Sequence, residues 1–176
     1  MRHEKFIEYI AAGKRPKSYL ELGLYRGKTI NNVSKYIDNK ENVVGVDISR
    51  DIIIDGVFYN MSTDNFFIQN EKSFDMIFID ADHSYESVKK DFNNSLKILN
   101  RGGIIILHDT DPESDSLFSK GYCGDAYKIV NELELDKNLN VITLPIQEAG
   151  LSIVTRKNET RTKLRNQDLP GGCSFM

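Results

Sequence analysis

The stretch Phe74-Asp-Met-Ile-Phe-Ile-Asp80-Ala-Asp82-His83-Ser-Tyr-Glu-Ser-Val-Lys-Lys-Asp91 decides the architecture of this chain. Its first part, Met76 to Ile79, is a short apolar run of strand-forming residues, the pattern of a strand buried on both faces. Two carboxylates and an imidazole follow within four positions, at Asp80, Asp82 and His83. After Ser84, a residue suited to an N-cap, apolar side chains recur at Tyr85, Val88, Phe92, Leu96 and Leu99, which is helical spacing. Titratable groups therefore sit on the turn that leaves the carboxyl end of a buried strand. In open α/β sheets that edge is where ligands bind.

Upstream, Phe6, Ile7 and Ile10 share one face of a short leading helix over about His3 to Ala12, ended by Gly13 and Pro16. Tyr19 to Leu22 reads as a first strand, and Gly23-Leu-Tyr25-Arg-Gly27-Lys-Thr29 as the loop into a helix that turns Ile30, Val33 and Ile37 inward. Two glycines four apart let a backbone turn sharply and approach a ligand. The loop fails the phosphate-binding P-loop pattern, because Leu22 stands where the first glycine should be. It fails the dinucleotide fingerprint because Tyr25 occupies the second glycine position. Glu21 places a negative charge beside the loop, unhelpful to phosphate and suited to a cationic amine; the other reading is a plain strand–helix turn. Val43 to Asp47 forms a second strand ending in an acid, roughly 20 residues beyond the glycine loop, where a carboxylate can accept from ribose hydroxyls. The alternative for Asp47 is a solvent-facing strand end.

The segment from Ser49 to Asn60 is too short for a full crossover helix and a strand, so the helix is shortened or lost, with Val57 to Tyr59 as a third strand. Met61-Ser62-Thr63-Asp64 exits it, either reaching a base or capping the short helix that follows. Downstream, Asn100 to Gly103 reads as a turn, and Ile104 to Leu107 as a buried strand ending in His108-Asp109. Parallel neighbours would bring Asp80 and His108-Asp109 together. Residues 112–124 suit a mobile flap, Ala126 to Leu133 a helix, and 140–155 a hairpin at the sheet edge. From Lys157 the chain turns polar and basic and reads as a flexible tail after a single domain over residues 1–156.

The totals fit an ordinary globular chain of 176 residues: 28% charged, 40% hydrophobic and a formal net charge of −3. That balance supplies no pull toward nucleic acid or anionic membrane. No apolar run has the length of a membrane span, and the first residues lack a signal-peptide core. Cys123 and Cys173 show no metal-ligand spacing and make no disulfide framework. A cytoplasmic address is expected.

Strands alternating with helices and closed by an antiparallel hairpin resemble the class I S-adenosylmethionine-dependent methyltransferases. Within that class the chain looks like the metal-assisted small-molecule and sugar O-methyltransferases, the group with macrolide and rhamnosyl O-methyltransferases. The resemblance rests on Glu21-Leu-Gly-Leu-Tyr-Arg-Gly27, Val46-Asp47, Phe78-Ile-Asp-Ala-Asp-His-Ser-Tyr-Glu86 with Asp91, and Gly102-Gly103 through His108-Asp109. It implies an α/β, Rossmann-like seven-stranded sheet, mostly parallel with a C-terminal antiparallel hairpin and helices on both faces. It also implies S-adenosylmethionine as cofactor. Glu21, Gly23, Tyr25, Gly27 and Thr29 would lie by its methionine moiety, Asp47 on its ribose, Ile48 and Ser62 against its adenine, and Asp80 beside it. Asp80, His108 and Asp109 match divalent-cation positions, and His83 the general base. Metal-binding members often carry an acid where this chain has His108, and a hard cation such as magnesium prefers oxygen ligands. The expected acceptor is a small-molecule or sugar hydroxyl, with no nucleic acid or membrane partner and a homo-oligomer left open.

Two rival functions are set beside this one. The first is a nucleotide-binding ATPase using Gly27-Lys28-Thr29 with Asp80 on magnesium. The second is a non-catalytic module that keeps the cofactor pocket.

Overall fold

A computed structural model describes residues 1–119 and 121–157. The tail expected beyond Lys157 lies outside the described residues. The elements in order are α1 (His3–Lys14), β1 (Tyr19–Leu22), α2 (Lys28–Ser34), β2 (Val43–Asp47), β3 (Val57–Asn60), α3 (Thr63–Gln69), β4 (Phe74–Ile79), α4 (Tyr85–Lys97), β5 (Leu99–His108), α5 (Ile129–Leu135), β6 (Leu139–Leu144) and β7 (Leu151–Arg156). The seven strands form one sheet in the order β3-β2-β1-β4-β5-β7-β6. β7 runs antiparallel to both β5 and β6, while the other neighbours are parallel.

Alternation along the strands builds two cores. In β1, Leu20 and Leu22 join Ile77, Ile79, Ile105 and Leu107 under α3, α4 and α5, represented by Phe66, Phe92 and Ile129. Tyr19 points the other way, with Met76, Phe78 and Ile106, beneath Ile7 and Ala11 of α1 and Ile30 and Val33 of α2. A strand buried on both faces needs apolar residues in both registers, which is why the central segments read as continuous hydrophobic runs. The expected helices on both faces are present.

The order reverses between β1 and β4, since the chain builds outward to β3 before returning to β4. Register places Leu22 beside Val46 on one side and Ile79 on the other, and Ile79 beside Leu107. Gly23, Asp47, Asp80 and His108 therefore leave the sheet along one edge, at the position where open α/β sheets open a crevice.

Two local expectations are corrected. Asn100 to Gly103, read as a turn, belongs to β5: Leu99 pairs with Phe74 before a register shift at Gly102, where φ is 71°. Glycine tolerates that left-handed step and so lets a bulge sit inside a strand. The side chain of Ser84 does not cap α4; its hydroxyl bonds to Ser87 Oγ at 2.9 Å, and Asp82 Oδ1 accepts from the Ser84 amide at 2.8 Å. The chain is fastened at both ends of the segment expected as a flap. Asp111 and Glu113 amides donate to Ala149 and Glu148 carbonyls at 2.9 Å, and the Asp125 amide to the His83 carbonyl at 3.1 Å.

Candidate active site

Gly23 is the hinge of the site. Its φ is 82°, its amide donates to the Val46 carbonyl at 2.9 Å, and a Cβ there would stand 2.1 Å from the Asp80 carbonyl oxygen. Only glycine lets the β1 exit pass this close to the β4 exit. Tyr25 (φ 51°) and Gly27 (φ 69°) continue the left-handed turn into α2. Asp47 closes the loop from the β2 side: Oδ2 accepts from the Leu24 and Tyr25 amides at 2.7 and 3.2 Å, and Oδ1 from the Ser49 amide at 2.7 Å. Each carboxylate oxygen has two lone pairs, so Asp47 retains acceptor capacity on the solvent side. Asn60 fastens the next turn by donating to the carbonyls of Asp47, Ile48 and Ser49 at 3.0–3.1 Å.

Between this loop and α4 lies a cleft of about 720 Å³, lined by Gly23, Asp47, Ile48, Met61, Ser62, Ala81 and Asp82 among others. Its volume falls within the range of small-molecule and cofactor pockets. Ser62 lines it and also caps α3, accepting from the Asn65 amide at 3.3 Å. Ile48, 77% exposed, presents an apolar wall to open space. Tyr25 is exposed and Thr29 is buried, and neither lines the cleft. Asp82 lines it as an exposed residue.

On the other side of Gly23 the β4 and β5 exits carry the reactive groups. His83 Nδ1 lies 3.2 Å from Asp109 Oδ2 and also contacts the Tyr122 carbonyl, while Nε2 lies 3.8 Å from Asp80 Oδ1. His108 Nδ1 sits 3.2 Å from Asp80 Oδ1 and 3.1 Å from Asp109 Oδ1. These are ion-pair distances without hydrogen-bond alignment, and both ring nitrogens of His108 are buried with no hydrogen-bond partner. Asp109 holds φ 60°, an uncommon conformation for a residue with a side chain and one that recurs at functional sites. Asp80, His83 and Asp109 each bring one ligand atom within 4.8 Å of the others. His108, at the end of β5, packs against Asp80 and Asp109 of this trio.

The electrostatics follow from that crowding. Burial opposes charge on His108, but the Asp80 carboxylate and then Asp109 outweigh it and carry its pKa up to about 10. Burial likewise works against Asp109, yet His108 and His83 hold its carboxyl below the ordinary value. Burial and then the Asp109 carboxylate push the Cys123 thiol up to about 12. Glu21 differs from expectation. It is 1% exposed and accepts a 2.6 Å bond from the Tyr19 hydroxyl at the α1–α2 side of the sheet. Burial, with Asp80 nearby, raises its pKa well above that of a free carboxyl, so it brings no exposed charge to the loop.

Sequence reasoning missed His3. Its ring centroid lies 4.3 Å from that of His108, and its Nδ1 and amide both contact Gln147 Oε1, at 2.7 and 2.8 Å. All three histidines of the chain thus converge on one sheet edge. Their scarcity was the only available signal, since the contact spans more than a hundred residues. The ATPase alternative loses its lysine: Lys28 Nζ donates to Glu4 Oε1 at 2.6 Å, beside α1 and away from the cleft lining.

A family model described as a methyltransferase domain matches residues 20–110, just over half of the chain and every strand exit described above. No curated protein matches the sequence. The O-methyltransferase from Bacillus cereus solved with S-adenosylhomocysteine superposes with TM-score 0.70 at 18% identity, covering 88% of this chain and 80% of that one. TomG from Streptomyces achromogenes, an O-methyltransferase of tomaymycin synthesis solved with S-adenosylmethionine, gives 0.66 at 13%, covering 87% and 78%. A caffeoyl-CoA O-methyltransferase assignment from Staphylococcus aureus gives 0.68 at 17%, covering 87% and 82%. At these identities the likeness is one of fold, and the domain match supplies the family. With the sheet order, the glycine turn and the cleft beside it, the chain belongs to the class I S-adenosylmethionine-dependent methyltransferases.

Proposed function

We propose that this enzyme transfers the methyl group of S-adenosylmethionine to a hydroxyl of a small molecule or sugar, with His83 as general base. The observation that supports this most is the adjacency of two unlike environments across Gly23. One is a cleft lined by Asp47, Ile48, Ser62 and Ala81; the other is the cluster of Asp80, His83 and Asp109. In this reading the ribose hydroxyls bond to Asp47 and the adenine rests between Ile48 and Ser62. Gly23, Tyr25, Gly27 and Thr29 shape the loop around the methionine moiety. Asp80 faces the sulfonium, whose positive charge a strand-end carboxylate stabilises, and Glu21 supports it from beneath.

The chemistry is an in-line displacement. A bond forms between the acceptor oxygen and the methyl carbon as the bond from carbon to sulfur breaks, and the hydroxyl proton must leave. Imidazole is suited to take it near neutral pH. With Nδ1 turned to the Tyr122 carbonyl and Asp109, the His83 proton belongs on Nδ1, which leaves the Nε2 lone pair to accept the acceptor's proton. The products are the methyl ether, S-adenosylhomocysteine and imidazolium. The resemblance also implies a divalent cation at Asp80, His108 and Asp109. The donor set here is carboxylate plus imidazole, a poor match to a hard ion that prefers oxygen alone.

The test is incubation with methyl-labelled S-adenosylmethionine and a library of phenols, catechols and sugars. Label is expected in an ether product, with His83→Ala slowing its formation while S-adenosylhomocysteine still binds. Label found only on amines or thiols, or undiminished turnover in His83→Ala, contradicts the proposal.

A further inference from the structure

We propose that Asp91 reads the base of the cofactor by accepting a hydrogen bond from the exocyclic amine of adenine, an assignment that rests on the methyltransferase reading and extends it to α4. Beyond the strand exits, the lining of the cleft includes Thr63 and Asp64 of α3 and Ser87, Lys90 and Asp91 of α4. Lys90 and Asp64 join the two helices there, with Nζ 2.6 Å from Oδ1. A ribose on Asp47, with its base against Ile48 and Ser62, turns the far edge of that base toward Thr63 and the α3–α4 side. In adenosine the edge opposite the glycosidic bond carries the 6-amino group.

Burial singles out Asp91 among the acids of the cleft. Beyond Asp47 these are Asp64, Asp82, Glu86 and Asp91. The first three are exposed, and water competes for their lone pairs. Asp91 is 3% exposed. A carboxylate taken out of water must be met by donors, and its two oxygens offer about four lone-pair sites. The Thr63 side chain supplies one hydrogen bond. Burial nevertheless carries the Asp91 pKa up to about 6, as expected of a carboxylate with few donors around it. An aromatic amine brings a further N–H into such a site and brings no charge. A 6-oxo purine would set a carbonyl oxygen against the carboxylate instead, two acceptors with no proton between them.

The plainer role for Asp91 is to tie α4 to α3 through Thr63. Loss of such a tie would weaken every nucleoside alike. Loss of a base contact changes the ratio between two nucleosides, and that ratio separates the two roles.

Titration calorimetry on the full chain with S-adenosylhomocysteine and with S-inosylhomocysteine, its 6-oxo counterpart, makes the test. The parent protein is expected to bind the amine form about 10- to 100-fold more tightly. In Asp91→Asn the side-chain amide can turn its oxygen to an amine or its NH₂ to a carbonyl, so the preference is expected to fall toward one. Asp91→Ala, which offers neither group, is expected to lose the preference as well. A preference that survives both substitutions, or that Asp64→Asn removes instead, overturns the assignment. Equal or tighter binding of the 6-oxo form by the parent overturns it too and leaves the methyltransferase reading standing. Binding of neither nucleoside overturns that reading and this assignment with it.

Discussion

The two sides of Gly23 obey different physical rules. The cleft toward α4 is open, carries an exposed apolar wall at Ile48, and meets its ligand with a carboxylate, Asp47, already anchored by three backbone amides. The cluster toward β5 is largely buried, holds two acids and two imidazoles within ion-pair reach, and moves the pKa of His108 up and that of Asp109 down. An anchored carboxylate in an open cleft is built to bind, because it reorganises little when a ligand arrives. Crowded titratable groups out of water are built to react, because each proton position there is decided by neighbours. One loop glycine stands between the two.

The sharpest way to break that division is Gly23→Ala. A Cβ 2.1 Å from the Asp80 carbonyl, at a φ of 82°, forces both strand exits apart. We predict loss of S-adenosylhomocysteine binding and a stability loss of about 3 kcal/mol by denaturant unfolding, from combined clash and backbone strain. Next comes His83→Ala, predicted to lower kcat roughly 10²- to 10⁴-fold with cofactor affinity unchanged, since a general base contributes to the chemical step and not to nucleoside binding. Asp47→Ala should do the opposite. Loss of hydrogen bonds to a charged acceptor is expected to weaken cofactor binding about 10- to 100-fold by calorimetry.

A fourth test concerns Asp91, which lines the cleft and is 3% exposed. Burial carries its pKa up from 3.8 to about 6, with Asp64 adding to the rise against a Thr63 hydrogen bond. The folded state therefore holds the proton more tightly than the unfolded chain. This stabilisation is complete below about pH 3.8 and is lost as pH rises through about 6. Asp91→Asn keeps a neutral side chain, so its stability relative to the parent is predicted to be greater at pH 7.5 than at pH 4, by up to about 3 kcal/mol. The smallest effect is expected at Lys28→Ala. Its ion pair with Glu4 is more than half exposed on the lysine side, and such pairs contribute about 1 kcal/mol or less. Cofactor affinity should not change, and ATP should give no thermal protection to either form.

The strands were legible because burial on both faces imposes apolar runs, as in Met76–Ile79 and Ile104–Leu107, and a short loop between Asp47 and Val57 left no room for a helix. The strand-end residues Gly23, Asp47, Asp80, His83 and Asp109 were legible because register follows from those runs. His3 was not, since its contact with His108 depends on how α1 lands on the sheet and on Gln147 in the β6–β7 turn. The charge of Glu21 was misread because its neighbours Tyr19 and α2 enclose it, and spacing along a strand does not report the depth of a side chain. The Asn100–Gly103 segment looked like a turn because two glycines mark a bulge and a turn alike.

A crystal structure with S-adenosylhomocysteine shows whether cleft and cluster serve one reaction. Ribose hydroxyls are expected on Asp47, the adenine against Ile48 and Ser62, and the sulfur beside Gly23 and Asp80, opening toward His83. A nucleoside bound outside this cleft, or a sulfur turned away from His83, would contradict a shared reaction.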